Sequence, residues 1–315
     1  MGMRSCRALS SGLQFRVVFR VSCSWHDLIH TASANLLAGL IVCLVGCATP
    51  PRQSVANGAH SSPVSQQFPA ATSKGWLPQP RLHRAMRSSL LVGDRRFSLH
   101  LPQDQPPPLP TVLVFHSAMG RTPSVLSWCN RLAERGFAAV ALDFFDGQLA
   151  QSPEEGLVLR DAANAKSAEL RHIVEQTYSR TKTDSRLLAS KRFLLGWSFG
   201  GAWATYLAGV LPEVTGVVAY YGQAFTDDPE LHKKVEAPIL LIGGRADSAP
   251  PPERLQSIAR TLLSDGKSAE LLLVPAGHGF AEQNHPGYSQ EASESAWSAT
   301  VDFLEARAQS RPPSL

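Results

Sequence analysis

Along the chain, short unbroken apolar runs alternate with longer stretches in which apolar side chains recur every three or four positions. The clearest runs are TVLVF at 111–115 and FAAVAL at 137–142, followed by shorter ones at 192–195, 216–221, 238–243 and 270–274. A short run with no polar interruption suits a strand covered on both faces. Between them, 124–135, 162–178, 200–209, 252–263 and 290–308 have helical composition, the last with an amphipathic pattern. Upstream, 88–92 and 96–101 flank Gly93-Asp94-Arg95 and read as an antiparallel hairpin, with a proline-rich loop at 102–110. Strands alternating with helices predict an α/β fold, a mostly parallel sheet flanked by helices on both faces. Ligands of such a sheet bind beyond the carboxyl ends of its strands.

The first eighty residues break this pattern. The run NLLAGLIVCLVG at 35–46 is preceded at a distance by arginines. Spanning a bilayer core takes about 20 apolar residues, so a dozen suit a signal-peptide core instead. The run ends in Leu44-Val45-Gly46-Cys47, which resembles the lipobox of bacterial lipoproteins, whose cysteine is lipidated and becomes the first mature residue. Residues 48–74 are rich in Pro, Ser, Ala and Gln and lack hydrophobic periodicity. The expected organisation is a lipoprotein-type signal peptide at 1–46, a flexible linker at 47–75 and one catalytic domain at 76–310. Cys47 would be the lipidation site of an exported protein, anchored on the periplasmic or outer-membrane side.

Composition adds exclusions. Apolar residues make up 43% and charged residues 18% of the 315, enough for a sizeable core and too little charge for a disordered chain. The formal charge of +4 is concentrated in the leader, where Arg4, Arg7, Arg16 and Arg20 face only Asp27. No basic patch remains to follow a phosphate backbone, so nucleic acid is excluded as a partner. The five cysteines form no CxxC pair, and Cys129 falls on a helical stretch where a buried structural thiol is expected. No HExxH motif or paired-cysteine set is present, and neither His232 nor His285 has partners at metal spacing, so neither metal nor cofactor is implied.

The sharpest motif is Gly196-Trp197-Ser198-Phe199-Gly200-Gly201, a G-x-S-x-G sequence between a predicted strand and a predicted helix. Glycines flank the serine because its strained turn brings neighbouring backbone too close for side chains. Ser198 is thereby exposed at a helix N-terminus, where amide N–H groups and the helix dipole face the negative charge of an attacked carbonyl. A serine hydroxyl needs a base, and the base needs an acid to hold its tautomer. Asp247 and His278 each stand just past a predicted strand, in the order Ser, Asp, His. Glycines on both sides free His278 to reach across the site. Glu253 is a first-turn helix residue, and Asp143 and Asp146 are rim-loop residues. His116-Ser117-Ala118-Met119-Gly120 follows the strand at 111–115. The backbone N–H groups of Phe199 and Ala118 are the expected oxyanion donors, with Ser117 as the adjacent alternative, and His116 is expected to be structural. Ser117 and Trp197 are candidate pocket residues; Trp197 either shapes the acyl pocket or packs beneath the elbow.

Together LVFHSAMG at 113–120, ERGFAAVALDFF at 134–145, GWSFGG at 196–201, GGRADSAPPPE at 243–253 and PAGHGF at 275–280 resemble the dienelactone hydrolase family over most of 88–308. The resemblance implies a single-domain α/β hydrolase acting on enol-lactones or related esters, and it supports the same three catalytic residues. It also implies three departures. The founding enzymes carry a cysteine where this chain has Ser198 and a glutamate where it has Ser117, and their substrate-binding arginine corresponds to a position near Glu282. GWSFGG is similar as well to the elbow of secreted polyester and cutin hydrolases. The expected function is hydrolysis of a small ester or lactone through an acyl-enzyme, by a monomer or small homo-oligomer. A serine peptidase of related fold and a non-catalytic binding protein are the alternatives.

Overall fold

A computed structural model describes residues 82–222 and 229–310. The leader, the linker and Cys47 lie outside the described residues. The hairpin is present as β1 (Ala85–Val92) and β2 (Arg95–Pro102), turning at Gly93-Asp94. Then follow β3 (Leu109–Phe115), α1 (Pro123–Glu134), β4 (Ala138–Ala141), α2 (Pro153–Asn164), α3 (Ser167–Arg180) and β5 (Leu187–Trp197). The chain continues through α4 (Phe199–Ala208), β6 (Gly216–Tyr220), α5 (Pro229–Lys234), β7 (Ile239–Gly244), α6 (Pro252–Ser264), β8 (Ala269–Val274) and α7 (Gln290–Gln309).

The eight strands form one sheet in the order β1-β2-β4-β3-β5-β6-β7-β8. The six from β4 to β8 are parallel, and β1 and β2 are antiparallel additions at one edge. This is the expected α/β architecture. The apolar runs are continuous because both sheet faces are covered. Side chains of alternate parity along β3 and β5 divide between two cores: Leu113, Phe115 and Leu194 enter one, while Val112, Val114, Phe193, Leu195 and Trp197 enter the other. Along α7, Ala292, Ala296, Thr300 and Leu304 are buried at helical spacing, which is the amphipathic face read from the sequence.

One element differs from the expectation. The helical stretch read at 162–178 is two helices, α2 and α3, and α2 begins nine residues earlier, at Pro153. Its inward face is short, with only Gly156 and Ala163 buried, so hydrophobic periodicity is weak there. The start signal is polar: Ser152 caps the helix by accepting from Glu155 N–H at 3.2 Å, Pro153 follows it, and Glu154 and Glu155 complement the dipole.

Cys129 is fully buried in α1, and burial pushes its thiol up to about 12. The thiolate, the reactive form, is therefore scarce at ordinary pH. Native protein at pH 8 is expected to resist a thiol reagent that modifies Cys129 stoichiometrically in denaturant; rapid native labelling would contradict this burial.

Candidate active site

The strand ends build the site. β5 runs into Trp197 and turns at Ser198, which has φ of 49° and ψ of −113°. Such a conformation costs a non-glycine residue about 1–3 kcal/mol and persists only where the surroundings enforce it. Here they do: Ser198 N–H donates to the Tyr220 carbonyl at 2.9 Å, and α4 starts at the next residue. The flanking glycines are needed for close approach. A Cβ on Gly196 would fall on the Gly200 carbonyl, and one on Gly200 would fall on the Phe115 carbonyl. The turn after β5 is thus pressed against the end of β3, with Gly200 against the Phe115 and His116 carbonyls.

Ser198, Asp247 and His278 meet. His278 Nε2 lies 3.0 Å from Ser198 Oγ, and its Nδ1 lies 2.9 Å from Asp247 Oδ2. The Asp247 carboxylate is buried, while the imidazole is 30% exposed and so open to substrate and water. Asp247 Oδ1 accepts from Ala249 N–H at 2.7 Å, which fixes which oxygen faces the histidine. The Tyr221 ring, just past β6, packs at 61° to the imidazole with centroids 4.8 Å apart.

Phe199 N–H is the first of α4 and has no preceding helical carbonyl to bond. Ala118 sits in a turn closed by Gly120 N–H donating to the Ser117 carbonyl at 3.1 Å, with Met119 N–H donating to Ser117 Oγ at 3.1 Å. Neither bond consumes the Ala118 N–H. Neither of the two expected oxyanion donors is thus engaged by these local bonds. His116 is fully buried, its Nδ1 2.6 Å from the Ser117 carbonyl and its Nε2 accepting from Phe144 N–H at 2.9 Å. Desolvation lowers its pKa, so it is a neutral framework group, as expected. Asp143 is engaged locally, accepting from Arg121 and from the backbone N–H groups of Phe145 and Gly147.

Neither pocket candidate lines the cavity, and for Trp197 the packing alternative holds. Trp197 is fully buried against Trp128 and Tyr220 on the sheet face away from the opening. It packs beneath the elbow, because alternation along β5 sends residue 197 to the opposite side from Leu194. Ser117 is also buried, and its hydroxyl donates to Glu282 Oε2 at 2.5 Å instead of facing the cavity.

The cavity itself has a volume of about 760 Å³ and opens over Ser198. One face of α4 forms its apolar wall through Phe199, Ala202, Trp203 and Tyr206, completed by Leu231 of α5. Arg160 and Asn164 of α2 and Ser167 and Arg171 of α3 form a polar rim. Both arginines are already paired, Arg160 with Asp161 at 2.7 Å and Arg171 with Glu175 at 2.8 Å. Apart from Phe199, named only for its backbone N–H, sequence reasoning missed these rim and wall residues. The serine cap of α2 and the 199, 202, 203, 206 spacing on α4 were the available signals. Among the described residues, no group of three or more His, Cys, Asp or Glu could hold a metal ion.

Comparison with known proteins places this arrangement. The family model for the dienelactone hydrolase family matches residues 98–308. A protein of Escherichia coli (strain K12) named "Putative carboxymethylenebutenolidase" is 28% identical over 231 residues, covering 68% of this chain and 83% of its own length. One of the same name from Aquifex aeolicus is 27% identical over 207 residues, covering 62% of this chain and 87% of its own. Among solved structures, a dienelactone hydrolase-like promiscuous phosphotriesterase from metagenomic libraries superposes with a TM-score of 0.63 at 22% identity, over 71% of this chain and 98% of its own. Brefeldin A esterase, at 18% identity and a TM-score of 0.51 over 75% of this chain and 80% of its own, shares the fold more loosely. With its sheet, its elbow and a family match spanning 98–308, the chain belongs to the dienelactone hydrolase family and is a carboxylic ester hydrolase.

Proposed function

We propose that the protein hydrolyses a small, predominantly apolar ester or lactone through an acyl-enzyme on Ser198. The observation that carries this reading is the Ser198–His278–Asp247 chain, at 3.0 and 2.9 Å, opening into an aromatic-walled cavity. As Ser198 Oγ attacks the carbonyl carbon, His278 Nε2 takes its proton. Asp247 holds the imidazole with Nδ1–H toward itself and stabilises the imidazolium. The oxyanion is received by the N–H groups of Phe199 and Ala118, each such donor contributing about 3 kcal/mol to the transition state. His278 then protonates the leaving alkoxide, and the acyl group stays on Ser198. A water that gives its proton to His278 attacks the acyl carbon, and Ser198 leaves with that proton.

The apolar wall of Phe199, Ala202, Trp203, Tyr206 and Leu231 favours an apolar group on the substrate. Burst kinetics with p-nitrophenyl acetate test the reading: one equivalent of p-nitrophenol released ahead of steady turnover supports an acyl-enzyme. Turnover that remains after Ser198→Ala argues against it.

The wall of α4 sets acyl size. Ala202 is partly exposed to the cavity between Phe199 and Tyr206. Ala202→Phe is expected to lower kcat/KM for hexanoyl or benzoyl esters about 10- to 100-fold, in the range a lost hydrophobic subsite costs, while acetate esters are little affected. Equal losses for both would place the acyl group elsewhere.

The export reading rests on the leader. No described helix is long and apolar enough to cross a membrane; the reading of Cys47 as the attachment point rests on the lipobox-like Leu44-Val45-Gly46-Cys47. In cells fed an alkyne fatty acid, the full chain is expected to incorporate label that Cys47→Ser abolishes; unlabelled wild-type chain would contradict the lipobox.

A further inference from the structure

Next to the site lies a buried carboxyl that the mechanism above does not use. Glu282 is 2% exposed, four residues after His278 on the same loop, and its N–H donates to the Gly279 carbonyl at 3.1 Å. Its Oε2 accepts from Ser117 Oγ at 2.5 Å, and its Oε1 accepts from Tyr221 OH at 3.1 Å. Three loops that leave different strands, β3, β6 and β8, are thus joined at one side chain. Each partner has a second connection to the site. Ser117 Oγ accepts from Met119 N–H and so holds the turn that presents Ala118. Tyr221 packs its ring on the imidazole of His278.

We propose that Glu282 is a positioning residue, fixing the Ala118 turn through Ser117 and the imidazole of His278 through Tyr221. A carboxyl side chain suits this position because its two oxygens can bond two partners on different loops at once. Burial raises its pKa, and the two hydroxyl hydrogen bonds and the nearby His278 oppose that rise, so the group is held inside the protein by its partners and not by solvent. Glu282 does not itself line the cavity, although Tyr221 does; because its bonds hold the Ala118 turn and the ring beside His278, its effect should fall mainly on the chemical step. The inference rests on the esterase reading above.

The test measures kcat and KM for p-nitrophenyl acetate, together with Tm, on the full chain. Glu282→Gln retains one acceptor for Tyr221 and one donor toward Ser117, and is expected to keep kcat within about threefold. Glu282→Met fills the space without the bonds. Ser117→Ala is the gentler change should the Glu282→Met protein fail to fold: it removes the bonds of Ser117 Oγ to Glu282 and Met119 N–H and leaves the Glu282–Tyr221 bond in place. Both are expected to lower kcat about 10- to 100-fold with KM within twofold, the scale of a small misplacement of catalytic groups. The double variant should lose less than the product of the two single losses, because the two residues share one hydrogen bond. Glu282→Met and Ser117→Ala proteins that fold and keep kcat within twofold or change KM alone, or a Glu282→Gln protein as impaired as Glu282→Met, would overturn the positioning role while leaving the esterase reading intact. Wild-type protein without turnover, or turnover that survives Ser198→Ala, would overturn both.

Discussion

Ser198→Ala is expected to lower kcat by about a millionfold, the scale found when a serine hydrolase loses its nucleophile, while KM and thermal stability stay near wild type. The structure gives both halves of that expectation. Among the described residues, Ser198 Oγ is the hydroxyl of the elbow within hydrogen-bond distance of His278 Nε2, so no neighbouring hydroxyl can take over. The turn is enforced by Ser198 N–H on the Tyr220 carbonyl and by glycine packing against Phe115 and Gly200, none of which needs the hydroxyl. His278→Ala should cost about as much, and the double variant no more than either single one, because nucleophile and base act as a unit. Losses that add in the double variant would mean that one of the two does its work elsewhere.

Asp247→Asn is expected to lower kcat about ten-thousandfold, as loss of the orienting acid does in comparable triads, with the fold unchanged. The reason is the direction of one hydrogen bond. Asp247 Oδ1 is committed to Ala249 N–H at 2.7 Å, so an asparagine keeps its oxygen there and turns its NH₂ toward His278 Nδ1. The imidazole would then accept at Nδ1 and carry its proton at Nε2, where it can no longer receive the proton of Ser198. The loss should appear as steady-state kcat at neutral pH. Activity within tenfold of wild type would show that another group orients His278.

Some of this site was legible in the sequence, for a physical reason. Asp247 and His278 stand a few residues past unbroken apolar runs, and a run buried on both faces announces a parallel strand whose carboxyl end faces ligand. G-x-S-x-G was readable because a residue other than glycine at 196 or 200 would strike backbone. The two antiparallel edge strands were readable from the Gly93-Asp94 turn. What remained hidden depends on contacts between distant segments. The cavity wall joins α2, α3, α4 and α5, and no local pattern records that Arg160 and Leu231 line the same space. Strand parity could have assigned Trp197 to the covered face, had the inward direction been known. Glu282 stood out only as a residue where the family resemblance led one to look for an arginine. That Ser117 lies against it could be seen only once the loops after β3 and β8 were brought together.

The central claim is that Ser198 is a nucleophile activated by His278, and covalent capture tests it most directly. Wild-type protein treated with a fluorophosphonate should gain the mass of one adduct, found on the peptide that contains Ser198, and His278→Ala should gain none over the same time. An adduct mapped to another residue, or an unmodified Ser198 in protein that still hydrolyses p-nitrophenyl acetate, would contradict it.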